Sequence, residues 1–231
     1  MTRVKRSELT RLEIVRDATR MFLVNGYSKT KVREIANRLE MSPGNLTFYY
    51  PTKEHLLAEL VDLLCGFQWK AMEIEAQEGV GSLMAICLEL AAMATICEED
   101  EAAKDFYISA YCSPLCLGII RENDTARARE VFGEYCPDWT EENFREAEIL
   151  VSGIEYATLM TAGAPVPLET RIQGALYGIF SIYNVPCEIG KERIQRLLTL
   201  DYRSIGRRVL AEFKQYVEDA NEQALFTLLN P

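Results

Sequence analysis

Apolar residues near the start of the chain recur three and four positions apart. Ile14, Val15, Ala18, Met21 and Phe22 mark one helical face between about Ser7 and Asn25, and Gly26 follows as a stop. Val32, Ile35, Ala36 and Leu39 predict a short second helix that Thr30 could cap. The turn Leu39-Glu40-Met41-Ser42 leads to a third. Ser42 is a natural N-cap, and Pro43 stands at the first helical position, where its missing N–H costs nothing. This third helix covers Gly44 to Tyr50 and ends at Pro51. Thr52 then opens a long helix carrying Leu56, Leu57, Leu60, Leu63, Leu64 and Phe67, which runs to about Gln77, with Gly79 and Gly81 as the break. Further helices are expected at about 82–97, 100–111, 115–122, 125–135, 140–163, 168–184, 191–198 and 202–228.

The expected fold class is therefore all-α. An N-terminal three-helix domain, residues 1–55, is joined by a shared helix to a larger helical bundle, residues 56–231. No Ser/Gly-rich linker separates them, so the shared helix is a stiff lever. The 231 residues are 48% hydrophobic with 13 Gly and 8 Pro, a core-forming composition. Val/Ile/Thr alternation of the strand type is scarce. Met1 to Thr10 is polar and basic, without the apolar stretch of a signal peptide. The longest apolar run, Leu83 to Cys97, contains Glu89 and is too short to span a bilayer. A cytoplasmic location with no membrane partner follows as an expectation, as do free thiols for the seven cysteines.

Net charge is −10, which at first argues against nucleic acid. Its distribution reverses that. Residues 1–55 hold 11 Lys/Arg against 6 Asp/Glu, and the remainder 14 against 29. A basic head on an acidic body presents one end to phosphates while the other is repelled. Two short helices around a tight turn, the second polar and aromatic, form the helix-turn-helix layout. The helix after the turn would enter a major groove about 12 Å wide.

The run Ile14…Ala18…Phe22…Gly26-Tyr27…Thr30…Ile35-Ala36…Met41-Ser42-Pro43-Gly44-Asn45-Leu46…Tyr50…Lys53-Glu54…Leu56-Leu57 resembles the N-terminal domain of TetR-family transcriptional regulators, over about residues 10–60. The resemblance implies an all-helical homodimer on a palindromic double-stranded DNA operator. It also implies a repressor whose operator affinity falls when a small molecule binds the C-terminal body, and a four-helix dimer interface. Two positions depart from the pattern. Glu40 stands in the turn where the family often has Gly, and Thr47 where Tyr commonly contacts a phosphate.

The candidate DNA-binding residues are Thr30, Lys31, Ser42, Pro43, Gly44, Asn45, Thr47, Phe48, Tyr49 and Lys53. Lys53, at a helix start, could face a phosphate or be a solvated surface lysine. Thr30 could donate to phosphate or only cap, and Tyr49 could contact phosphate or sit at the core edge. Gly44 permits close approach; Asn45 could read a base edge or cap locally. Thr47 could meet a phosphate or a thymine methyl. Arg3, Lys5 and Arg6 read as a flexible basic arm or a solubilising tail.

In the body, Trp69, Met72, Phe106, Tyr107, Tyr111, Cys112, Tyr156 and Met160 are candidates to line a pocket for an unidentified effector, or are ordinary core. Gly153, Ala157, Gly174, Tyr177 and Gly178 would let helices 140–163 and 168–184 meet a second copy. Tyr156, Leu159, Leu176 and Phe180 would add apolar area there. Intrachain packing is the alternative. No metal or cofactor is expected: His55 is the single histidine, and Pro114 interrupts the Cys112/Cys116 spacing. No nucleophile–base–orienter set suggests an enzyme. A cysteine-based redox-responsive DNA-binding regulator is the alternative reading.

Overall fold

The computed structural model describes residues 3–77, 82–161 and 163–229, with side chains described for 7–77, 82–161 and 163–219. The expected break at Gly79 and Gly81 lies outside the described residues. Eleven helices and no strand occur among the described residues: α1 (Arg3–Asn25), α2 (Val32–Arg38), α3 (Pro43–Tyr49), α4 (Lys53–Ala76), α5 (Leu83–Glu99), α6 (Glu101–Cys112), α7 (Pro114–Phe132), α8 (Glu141–Met160), α9 (Leu168–Ile182), α10 (Cys187–Thr199) and α11 (Tyr202–Leu229).

α1 buries Ile14, Val15, Ala18, Phe22 and Leu23 and ends at Gly26, whose φ of +90° turns the chain. Its first turn already includes Arg3, Lys5 and Arg6, so the backbone of the expected arm continues the helix. The α2–α3 turn closes as a Schellman motif. Met41 N donates to Ala36 O and Glu40 N to Asn37 O. Glu40 takes the left-handed conformation at φ 53°, tolerable without glycine at about 1 kcal/mol.

α5 is apolar all round and accordingly sits at the centre. α4, α6, α8, α9, α10 and α11 pack on it. The head is not a separate ball: α1 packs on α6 and α11 as well as on α4. Arg20 of α1 grips Glu218 of α11, with Nε 2.6 Å from Oε1. α4 runs from the head core at Leu56 and Leu57 into the body at Cys65 and Gln68, all four buried.

Two expected boundaries are corrected. The helices expected at 115–122 and 125–135 are one helix, α7, which ends at Phe132. The polar run Asn123-Asp124-Thr125 looks like a breaker in sequence. In the structure, Asn123 Nδ2 donates to Ile119 O at 3.0 Å and Thr125 Oγ1 to Arg121 O at 2.7 Å. These side chains fold back on the helix they seem to interrupt. α10 starts at Cys187 rather than 191, directly after Pro186, whose fixed φ suits a helix start.

Candidate functional site

α3 is held by two features. Ser42 Oγ accepts the Asn45 N–H at 3.2 Å, which caps the helix. Leu46, 1% exposed, plugs it into the head core beside Tyr50. Every other α3 position points outward or sits at the rim: Ser42, Pro43, Gly44, Asn45, Thr47 and Phe48 are exposed and Tyr49 is half-buried. A Cβ on Gly44 would meet nothing within 4 Å, so the glycine leaves an open surface. Phe48 is 78% exposed, with its ring edge-on to Tyr49. Thr47 Oγ1 donates to Gly44 O at 3.1 Å, and the residue is exposed. Lys29, Lys31 and Arg33 are exposed beside this face.

Thr30 is placed differently from expectation. Its side chain is buried and its hydroxyl donates to Gly26 O at 2.8 Å, so it offers no side chain to a phosphate. It does not cap α2 either; the N-cap is Lys31, whose N–H is taken by Glu34 Oε2 at 3.0 Å. Lys53 is also committed. Its ammonium donates to Tyr27 O at 2.8 Å and Thr30 O at 3.1 Å, and lies 3.9 Å from the centre of the Tyr27 ring. Partial burial lowers its pKa, against the Asp105 carboxylate, which raises it. The α1–α2 loop thus has a cation at its centre, and burial together with Glu54 pushes Tyr27 up to about 12.

The body holds a cavity of about 60 Å³ between α4, α5, α6, α7, α8 and α9. Of the eight pocket candidates, Tyr107 and Tyr111 line it. Trp69, Met72 and Phe106 are buried in the surrounding core instead, Trp69 under the Arg127 guanidinium at 5.2 Å. Cys112 and Met160 face outward on the far sides of their helices, and Tyr156 meets Cys112 there, with Sγ 3.6 Å from its hydroxyl.

Sequence reasoning missed the polar lining: Gln68, Glu89, Asp124, Arg127, Glu148 and Glu155. One signal was visible, since Glu89 interrupts the apolar run of α5. Glu148 and Glu155 are also seven apart, hence on one face of α8. Gln68 links two of these groups, accepting from Tyr107 Oη at 2.9 Å and donating to Glu89 Oε1 at 2.9 Å. Tyr111 donates to Glu155 Oε2 at 2.8 Å, and Tyr183 donates to Glu148 Oε1. Burial, reinforced by Glu89 and partly offset by Tyr183, Arg127 and Arg121, pushes Glu148 up to about 7. Burial first, then the neighbouring carboxylates, holds Asp124 and Glu155 well above the usual carboxylate range.

On the outer face of α8 and α9, Gly153, Ala157, Gly174 and Tyr177 are exposed and Gly178 is half-covered by Ile154. Ile149, Leu150 and Met160 are exposed with them. Leu159, Leu176 and Phe180 are not part of this strip, because they point into the core. Five cysteines are buried, and burial raises Cys65, Cys97, Cys116 and Cys136. A reactive thiol needs the opposite shift. Among the described residues no helix is long and apolar enough to cross a membrane, and no His/Cys/Asp/Glu group is placed to hold a metal.

No curated protein matches the chain. Among solved structures it is similar to a gamma-butyrolactone receptor (ArpA like protein), at 21% identity over 90% of this chain and 99% of that one, with a TM-score of 0.39. Residues 14–60 match the family described as bacterial regulatory proteins, tetR family, the segment that holds α2, the Glu40 turn and α3. Over this N-terminal segment the chain is similar to the tetR family of bacterial regulatory proteins.

Proposed function

We propose that the chain is a homodimeric repressor whose affinity for a palindromic operator falls when a small molecule occupies the body cavity. The observation that carries the DNA part is the outward face of α3. It is fixed from behind by Leu46 and capped by Ser42, and it presents Asn45, Thr47 and Phe48 together. Phosphate contacts would position this face, and its side chains would read base edges.

Two elements support control from the body. α4 belongs to the head core at one end and lines the cavity with Cys65 and Gln68 at the other. α6 lines it with Tyr107 and Tyr111 while Asp105, one turn away, accepts the Ser28 N–H in the head. A ligand that favours one arrangement of these helices changes DNA affinity by its differential affinity for the two states. The exposed apolar strip on α8 and α9 supports a second copy as the partner.

The test is a titration of the purified protein against labelled duplex from upstream of its own gene, at several salt concentrations. Two heads contacting several phosphates each should lose about 10³–10⁵ in affinity between about 50 and 200 mM salt. In a purified transcription assay the bound protein should lower output from that promoter. Failure to bind any duplex at low salt sinks the reading, and raised output replaces repressor with activator.

A further inference from the structure

We propose that the body cavity takes a compact organic cation, an ammonium-bearing molecule whose N–H groups meet the carboxyl of Glu148. This rests on the reading of the cavity as an effector site.

Glu148 is 3% exposed and lines the cavity. Its Oε1 receives the Tyr183 hydroxyl, while its Oε2 is fully buried and has no hydrogen-bond partner. Buried polar atoms are almost always satisfied, so an orphaned carboxyl oxygen at a cavity wall marks the place of a missing donor.

The charge balance says what kind of donor. Four carboxyl groups line the cavity (Glu89, Asp124, Glu148 and Glu155) against one guanidinium, Arg127. Arg127 is already committed to partners in the protein. It donates to Glu89 Oε1 and Asp124 Oδ1, each at 3.2 Å, and to the Cys65 carbonyl, and its face lies over Trp69. Arg121, the other cation near Glu148, gives its Nε to Ser152 at 2.9 Å. An anionic ligand would therefore meet surplus carboxyl groups and, on the cavity wall, only a guanidinium that is already engaged. A cation would meet Glu148 with its open oxygen, and Glu155, whose partner is the neutral Tyr111 hydroxyl.

The protonation state agrees. Burial favours the protonated forms of Asp124 and Glu155 and raises Glu148 to about 7. Protonation thus limits uncompensated charge on the cavity wall, and an incoming ammonium takes the place of a proton. Tyr107, Tyr111 and Tyr183 hold their phenolic protons under the same burial, so the carboxyl groups are the ones that yield. A volume of about 60 Å³ limits the cation to a small headgroup with a short carbon chain in the present side-chain positions. Val151, Leu90 and Phe132 provide apolar wall for that chain.

Calorimetry of the full chain with n-butylammonium, n-butanol and butyrate tests this with three solutes of one size. The ammonium should bind about tenfold or more tightly than the alcohol, and butyrate should not bind. Its heat should differ between two buffers of different ionisation enthalpy at neutral pH, because protons leave as it binds. Glu148→Gln should weaken ammonium binding by about tenfold or more and leave butanol unchanged. Glu155→Gln, measured in the same way, should weaken it too and serves if Glu148→Gln fails to fold. Equal or tighter binding of butanol or butyrate, or no binding of the ammonium, overturns the cation assignment. A separate arm follows release of operator DNA. Ammonium binding without release leaves the cation site standing and sinks the effector reading.

Discussion

Asp105, on α6, accepts the Ser28 backbone N–H at 2.7 Å, and the same Oδ2 lies 2.7 Å from where a Cβ on Gly26 would stand. The body thus closes on the head loop at a point where only glycine fits, both for space and for the φ of +90°. Gly26→Ala should lower unfolding free energy by about 1–3 kcal/mol. Asp105→Ala alone should cost about 1 kcal/mol, because its bond is exposed. In the double variant, removing the carboxylate should relieve the steric part of the Gly26→Ala cost and not the backbone part. Urea midpoints for the four proteins decide this; purely additive effects would show that the two positions do not meet.

Lys53→Ala should act through the loop rather than through lost phosphate charge. The ammonium organises the Tyr27 and Thr30 carbonyls from within. Its removal should cost about 1–2 kcal/mol of stability, discounted for partial exposure, and should weaken DNA binding by disordering the loop. The plot of log affinity against log salt should keep its slope. A slope reduced by about one per head would mean that Lys53 is a direct phosphate contact.

Phe48→Ala should separate function from folding at a single residue. With 78% of its surface exposed, the ring contributes little to the head core. Stability should stay within about 0.5 kcal/mol of the parent. Operator affinity should fall by about 1–3 kcal/mol, measured by fluorescence anisotropy. Full affinity in the variant would remove Phe48 from the interface.

What was legible in the sequence was local. Ser42 and Pro43 start α3, Gly26 ends α1 and Glu40 turns left-handed, because caps and turns are chosen by neighbours within a few residues. Thr30 was not legible as a buried group. Its partners, Met21 O in α1 and Gly26 O just past its end, precede it, and only packing shows that the hydroxyl points inward. The continuity of α7 was hidden by side chains that bond their own helix backbone. The polar wall of the cavity was missed for a related reason. Of the aromatic and sulfur-bearing residues expected to line it, Tyr107 and Tyr111 do, while Trp69, Met72 and Phe106 fill the core and Cys112, Tyr156 and Met160 lie outside it. The distinctive wall is polar, and periodicity does not tell an inward-facing Glu148 from a solvated glutamate.

The pocket acids should make stability depend on pH in an unusual direction. Burial raises Glu148 from its ordinary 4.5 to about 7. Between those values the folded chain holds more protons than the unfolded one, so stability falls as pH rises. The full span of Glu148 corresponds to about 3 kcal/mol, with Asp124 and Glu155 extending the decline upward. Glu148→Gln cannot ionise. It should match the parent near pH 5 and exceed it by about 1–3 kcal/mol near pH 8. Chemical denaturation at both pH values measures it. Identical pH profiles for parent and variant would mean that Glu148 titrates as an ordinary carboxylate.

The strip on α8 and α9 should decide the oligomeric state. Leu150 is 58% exposed and Tyr177 42%, and Gly153, Ala157 and Gly174 lie exposed on the same two helices. Glycine and alanine at these points allow the backbones of two copies to approach closely, while Leu150 and Tyr177 supply the apolar area that makes approach favourable. Within one chain neither side chain is core, so Leu150→Glu with Tyr177→Glu should leave the helical signal and the fold of each protomer intact. Across the strip, however, the pair would bury four like charges per dimer. Sedimentation at micromolar concentration should give a dimer for the parent and a monomer for the variant. The monomer loses the linkage of two heads on one palindrome, so its operator affinity should fall by about 10²-fold or more while binding to a single half-site changes little. A variant that stays dimeric would place the interface elsewhere on the body, and a parent already monomeric would remove the dimer from the proposed mechanism.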